Sequence, residues 1–241
     1  MTSSTDRTAA EETNVRIFSD EAVIEGSYRH YGLSQRESDI VHTFFGDQDP
    51  LIDIGCGTGR TTVPLHNMGF NVIGVDVARR MIETAKQRFP EIAFGVADAC
   101  SLPFADESFR YALFSFCGID YIHPEERRIK ALYDIRRILR RDGIFAFSSH
   151  NRFPMLRFSS GSAFKHSAVF LLDFIAVNLR HGTLFSRYKL GKAGDKHLTC
   201  YRAGISRQVH ELENTGYRIL DIRCEMFPRG FRRFEPQPYY I

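Results

Sequence analysis

Three glycines, at 55, 57 and 59, follow directly on a short aspartate-bearing apolar run, Leu51-Ile-Asp-Ile54. Glycine admits positive φ and lets a ligand approach the backbone closely. A helix starting after such a turn presents free N–H groups. This is chemistry for cradling a polar cofactor. The GxGxxG dinucleotide fingerprint fails here, because Arg60 stands where its last glycine would be. The P-loop pattern fails too, since no Gly-Lys-Ser/Thr follows. A tight turn with no ligand is the bland alternative, and the glycine spacing behind an aspartate weighs against it.

Candidates for proton chemistry lie further on. His150 falls just past an apolar strand run, Ile144-Phe-Ala-Phe-Ser148. It reads either as a general base or acceptor-orienting group, or as a structural histidine bonding a loop carbonyl. Asp120 either orients a substrate or caps the coming helix. His123 precedes Pro124 and reads as a turn residue. His166, His181 and His197 show no HxxxH or HxH spacing, so no metal site is expected. Five cysteines, at 56, 100, 117, 200 and 224, form no CxxC pair. That disfavours structural zinc and a disulfide framework, and fits a reducing cytoplasm.

The elements that must position these residues alternate. Strand patterns at 51–54, 71–75, 92–96, 111–116 and 144–148 are separated by helical patterns at 61–68, 78–88 and 125–140. In the second helix Met81, Ile82, Ala85 and Phe89 share a face. Gly143 reads as a glycine-assisted exit from the third helix. Such alternation implies right-handed βαβ crossovers and a mostly parallel sheet. After His150 the pattern breaks. Residues 151–200 are basic and aromatic-rich around an apolar centre, 168–179, too short to span a membrane. A buried or lid-like helix is expected there, with membrane-surface attachment as the alternative. A helix at 204–214, a sixth strand at 217–222 and an edge-like seventh at 237–241 complete the order.

With those elements in place, the chain resembles the class I S-adenosylmethionine-dependent methyltransferases. Asp53-Ile-Gly-Cys-Gly-Thr-Gly59 matches the family's first motif, and Asp76 matches the acidic residue after its second strand. Val96-Ala-Asp-Ala-Cys-Ser-Leu-Pro-Phe104 resembles its "GDA…LPF" segment, and residues 132–143 its "EIxRVLKPGG". Phe114–Ile122 and Phe147–Asn151 resemble a bacterial subgroup with "FSxNGIDYI" and "FSSHN". Cys117 departs from that subgroup, which usually has Asn, and Arg110, Arg141 and Asp142 depart from the wider family.

The resemblance implies a Rossmann-like, seven-stranded, mostly parallel sheet with helices on both faces, an N-terminal helical arm and a helical insert after strand five. It implies S-adenosylmethionine as cofactor and S-adenosylhomocysteine as product. Asp76 would accept from the ribose hydroxyls, Met81 would pack near the adenine, and Asp98 would meet its amino group. Asp53, Gly55, Cys56, Gly57, Gly59, Val77, Ala99, Ser115 and Phe116 complete the implied cofactor contacts. Tyr28 and Tyr31 would join them from the arm, unless that segment is an ordinary amphipathic helix. His150 and Asp120 are the implied catalytic candidates, with no metal.

The chain has 241 residues, 43% apolar and 25% charged, with a formal charge of +3. One domain is expected, over 15–241, with residues 1–14 as a solvated tail, 15–46 as arm or lid, and 151–200 as substrate lid. Arg229, Arg232 and Arg233 with Phe227, Phe231 and Phe234 read first as a solvated basic loop, with stacking on RNA as the alternative. The near-neutral charge weighs against nucleic acid. The insert at 151–200 and the N-terminal arm would form the acceptor pocket, and their aromatic and apolar content predicts a small, partly hydrophobic acceptor whose O, N or C takes the methyl. A tRNA or other RNA substrate is the alternative, and a non-catalytic binding subunit the third reading. Monomer and homodimer both stay open.

Overall fold

The computed structural model of the chain describes residues 8–27, 31–46, 49–152, 162–193, 196–224 and 235–241. Tyr28 and the basic-aromatic run from 227 to 234 lie outside these described residues. Three helices come first: α1 (Ala9–Phe18), α2 (Glu21–Ser27) and α3 (Gln35–Phe44). Five strands follow: β1 (Pro50–Ile54), β2 (Asn71–Asp76), β3 (Ala93–Val96), β4 (Phe109–Phe114) and β5 (Leu139–Ser148). Helices α4 (Thr62–Asn67), α5 (Arg79–Arg88) and α6 (Glu125–Ile138) join them. Then come α7 (Ser162–Arg180), the hairpin β6 (Tyr188–Ala193) and β7 (Lys196–Tyr201), α8 (Ile205–Asn214), β8 (Ile222–Arg223) and β9 (Tyr239–Tyr240).

The main sheet has seven strands in the order β3-β2-β1-β4-β5-β9-β8. Neighbours among the first five are parallel, and β9 runs antiparallel to both its partners. Side chains alternate across the pleat, and each face closes its own core. On one face Ile52, Ile54, Ala112, Phe114, Phe145 and Phe147 pack with Leu132, Ile135 and Leu212 from α6 and α8. On the other, Leu51, Tyr111, Leu113 and Ala146 pack with Ile40 and Val41 of α3 and Leu65 of α4. Burial on both faces explains why these strands read as continuous apolar runs.

Several expectations need correction. Helix α1 begins at Ala9, inside the segment read as a solvated tail, and buries Glu11 and Asn14. Its polar composition hid that burial, because both side chains are hydrogen-bonded. The third core helix ends at Ile138, and Gly143 lies within β5. The register between β4 and β5 jumps from Phe109↔Leu139 to Tyr111↔Ile144, so the extra residues bulge outward. The fourth strand ends at Phe114, leaving Ser115 and Phe116 past its tip. The insert is not wholly helical: α7 is followed by the separate hairpin β6–β7. Only Ile222 and Arg223 of the sixth strand, and Tyr239 and Tyr240 of the seventh, pair in the sheet.

Candidate active site

Five parallel strands end on one edge, and the turns leaving β1, β2 and β4 meet there. Gly55 takes φ 64° and Gly57 takes φ 56°, which side chains disfavour. A Cβ on Gly55 would lie 2.6 Å from Phe114 Cε2. Among the described residues, a Cβ on Gly57 would meet only Met81 Sδ within 4 Å, at 3.9 Å, so that face is open. The Gly57 N–H donates to Asp76 Oδ2 at 2.9 Å, and the Ala78 N–H donates to Oδ1 at 2.8 Å. Backbone thereby fixes the Asp76 carboxylate at the β2 tip. Burial pushes its pKa up, against the pull of the Ala78, Gly57 and Val77 N–H groups. Further donors would satisfy the lone pairs that remain.

These residues wall a cavity of about 910 Å³, at the roomy end of the ~300–1,000 Å³ usual for ligand pockets. Of the sequence-predicted contacts, Tyr31, Gly55, Cys56, Gly57, Asp76, Val77, Met81, Asp98, Ala99, Ser115 and Phe116 all line it. Asp53 and Gly59 stand behind the turn. Asp53 accepts from Thr61 and Thr62 hydroxyls at 2.6 Å each, and so ties β1 to the start of α4. Burial raises its pKa to about 6 despite those bonds. Among the described residues its Oδ1 is buried without a hydrogen-bond partner. Asp98 Oδ1 accepts from the Cys100 N–H at 2.9 Å and Oδ2 from Arg127 at 2.8 Å.

Helix α1 covers the cavity, contributing Glu11, Asn14, Val15 and Phe18 to its wall. Asn14 donates to Thr199 O at 2.7 Å and Tyr121 O at 3.1 Å, and accepts from the Thr199 N–H at 3.0 Å. One side chain thus pins α1 to the hairpin and to the turn after β4. Arg127 Nε donates to Glu11 at 2.8 Å, joining α1 to Asp98. At the other end, Tyr31 Oη reaches Thr58 O at 3.3 Å. Glu37 accepts from Arg60 at 2.6 Å and 2.9 Å and from Tyr239 Oη at 2.7 Å. Burial would raise the Glu37 pKa, but these donors hold it down at about 2. Sequence reasoning missed Glu11, Asn14, Glu37 and Arg127. Ser34-x-x-Glu37 is a capping box and was a readable signal. The Glu11–Arg127 contact spans 116 positions and left none.

Past the β4 tip, Phe116 and Cys117 both take positive φ, 55° and 56°. This swings Phe116 out to 77% exposure, under the Arg60 guanidinium at 5.1 Å. Cys117 is sealed, its N–H donating to Ser148 Oγ at 2.8 Å, and burial pushes its thiol pKa well up. A short 3-10 turn, Gly118–Tyr121, follows. Asp120 and His150 come together, Nδ1 to Oδ2 at 3.0 Å, with Asp120 fully buried. Neither lies on the cavity wall. Tyr121 does, and its ring sits edge-on to His150 at 5.9 Å.

Residues 51–143, from β1 into β5, match a family described as a methyltransferase domain. A demethylmenaquinone methyltransferase of Paenarthrobacter aurescens is 33% identical over 109 residues, 44% of this chain and 42% of the relative. The O-methyltransferase resE of Aspergillus sclerotiorum is 35% identical over 99 residues, covering 37% and 35% of the two chains. The chain therefore spans less than half the length of either curated relative. A solved SAM-dependent methyltransferase of Methanosarcina mazei superposes with TM-score 0.63 at 18% identity, covering 83% of this chain and 94% of that one. That likeness shows the fold, a Rossmann-like α/β sheet. Among the described residues no helix is long and apolar enough to cross a membrane.

Proposed function

We propose that this protein transfers a methyl group from S-adenosylmethionine to a small-molecule acceptor. The observation that carries the reading is the cavity at the strand tips, where an open Gly57 face and a backbone-anchored Asp76 carboxylate stand together. The residues present fit the cofactor. Ribose hydroxyls are donors, and an ionised Asp76 carboxylate is an acceptor only. Asp98, Ala99 and Met81 line the cavity and would hold the adenine. When bound, the cofactor supplies a methyl group on a sulfonium, already activated for displacement.

The chain's part is then to hold and align. Helix α1 and the turn after β4 wall the cavity, and positioning of reactants supplies much of a methyl transfer's acceleration. Val15, Phe18, Phe116, Tyr121, Ile122 and Leu198 give the wall an apolar stretch. A partly hydrophobic acceptor follows, and the named small-molecule relatives support one. His150, held by Asp120 with its ring edge-on to the wall residue Tyr121, is the candidate for orienting the acceptor through Tyr121.

The test is transfer of label from methyl-labelled S-adenosylmethionine into a cell extract, followed by identification of the labelled product. A labelled small molecule, lost with Asp76→Ala, is the expected outcome. Label found only in RNA, or no transfer, counts against the reading.

A further inference from the structure

A polar network sealed from solvent lies behind the 3-10 turn. Arg128 of α6 and Asp120 are both completely buried. Arg128 donates to Glu211 Oε2 at 2.6 Å and to Gln208 Oε1 at 2.7 Å. The Gln208 amide nitrogen donates to Ser149 Oγ. Ser149 Oγ donates to Asp120 Oδ1 at 2.8 Å. Asp120 Oδ2 lies 2.5 Å from the His150 backbone N and 3.0 Å from His150 Nδ1. Tyr201 covers the Arg128 guanidinium at 4.3 Å and donates to Glu211.

The donor and acceptor roles along this chain are forced from one end. A guanidinium has donors only, so Gln208 must turn its oxygen to Arg128 and its NH2 to Ser149. The Ser149 oxygen is then an acceptor for Gln208, and its one proton goes to Asp120. Asp120 receives that proton bond and the His150 backbone N–H, with Arg128 Nε 3.8 Å from Oδ1. Those partners suit an ionised carboxylate, which accepts only. His150 Nδ1 must therefore be the donor, and the neutral ring's lone pair falls on Nε2. Among the described residues Nε2 has no hydrogen-bond partner, and the side chain keeps 13% exposure. Stability does not require such a network, since buried ion pairs are often matched by apolar packing.

We infer that Arg128, Gln208 and Ser149 are positioning residues that fix His150 with Nδ1 protonated and Nε2 basic. The role in catalysis rests on the proposed methyl transfer; the tautomer does not.

Nitrogen-15 spectra of histidine-labelled protein test this, at alkaline pH where the ring is neutral, with His150→Asn to assign the signal. The wild type should show the Nδ1–H tautomer. Ser149→Ala and Gln208→Met should each turn it into a mixture, leaving S-adenosylhomocysteine binding by calorimetry unchanged. An Nε2–H tautomer in the wild type overturns the inference, whether or not the variants fold. So does a pure Nδ1–H signal persisting in either folded variant. If S-adenosylhomocysteine does not bind the wild type while the Nδ1–H tautomer is present, the methyl-transfer reading fails and the relay stands.

Discussion

Asp76 carries the cofactor claim at the scale of single residues. Its carboxylate is held by two backbone N–H groups at the mouth of β2 and contributes nothing to either core. Asp76→Ala should weaken S-adenosylhomocysteine binding roughly 100-fold, the loss of hydrogen bonds to a charged group totalling ~3 kcal/mol. The thermal midpoint should barely move, since water can replace the carboxylate there. Calorimetry and a melting curve check both halves. Asp53 makes a pH prediction. Its folded pKa of about 6 stands above the ordinary 3.8 because burial penalises the charge. Stability from its protonated form is thus complete below 3.8 and is lost as pH rises through about 6. The displacement corresponds to about 3 kcal/mol. Glu37 has the opposite sign: its contribution is present above 4.5 and lost as pH falls toward about 2. Melting midpoints of wild type and Asp53→Asn should therefore diverge as pH rises from 4 to 6, in favour of the variant. Parallel curves would contradict the burial account. Glycine spacing and strand-end aspartates were legible because turn chemistry is local. The Glu11–Arg127–Asp98 contact was not, because only the fold brings α1 to α6.

Elements set how the cavity closes. The first part of α1, residues 9–14, reads as tail because AAEETN lacks a long apolar stripe. Its docking comes instead from Asn14, Glu11 and Phe18, the last edge-on to Tyr121 at 5.1 Å. Asn14→Ala would strand the backbone groups of Thr199 and Tyr121, a cost of about 2 kcal/mol. Amide hydrogen exchange should accelerate in α1 and in β7, with little change in β1 or β4. Uniform exchange across the chain would show that Asn14 is not the pin. The turn between β1 and α4 is less forgiving. Gly55→Ala combines positive φ with a Cβ 2.6 Å from Phe114. It should cost about 1–3 kcal/mol by melting and abolish cofactor binding. The hairpin β6–β7 escaped sequence reading because the apolar centre of α7 dominates its surroundings. Helix α6 was over-extended for a different reason: nothing local in Arg140–Gly143 announces the bulge against β4.

Among the described residues, the two largest cores lie on the faces of one sheet, with the candidate site at the strand tips. The order β3-β2-β1-β4-β5-β9-β8 follows from parallel crossovers up to β5 and an antiparallel return. The crossovers were legible in the alternating strand and helix patterns. The return was less so, because β8 and β9 pair through two residues each. The cavity belongs to the assembled sheet edge and to the helices above it, and no single motif contains it. Calorimetric titration of S-adenosylhomocysteine into the intact protein tests this account most directly. The account predicts one ligand bound per chain, with the affinity lost in Asp76→Ala. No heat of binding to folded wild-type protein would contradict it.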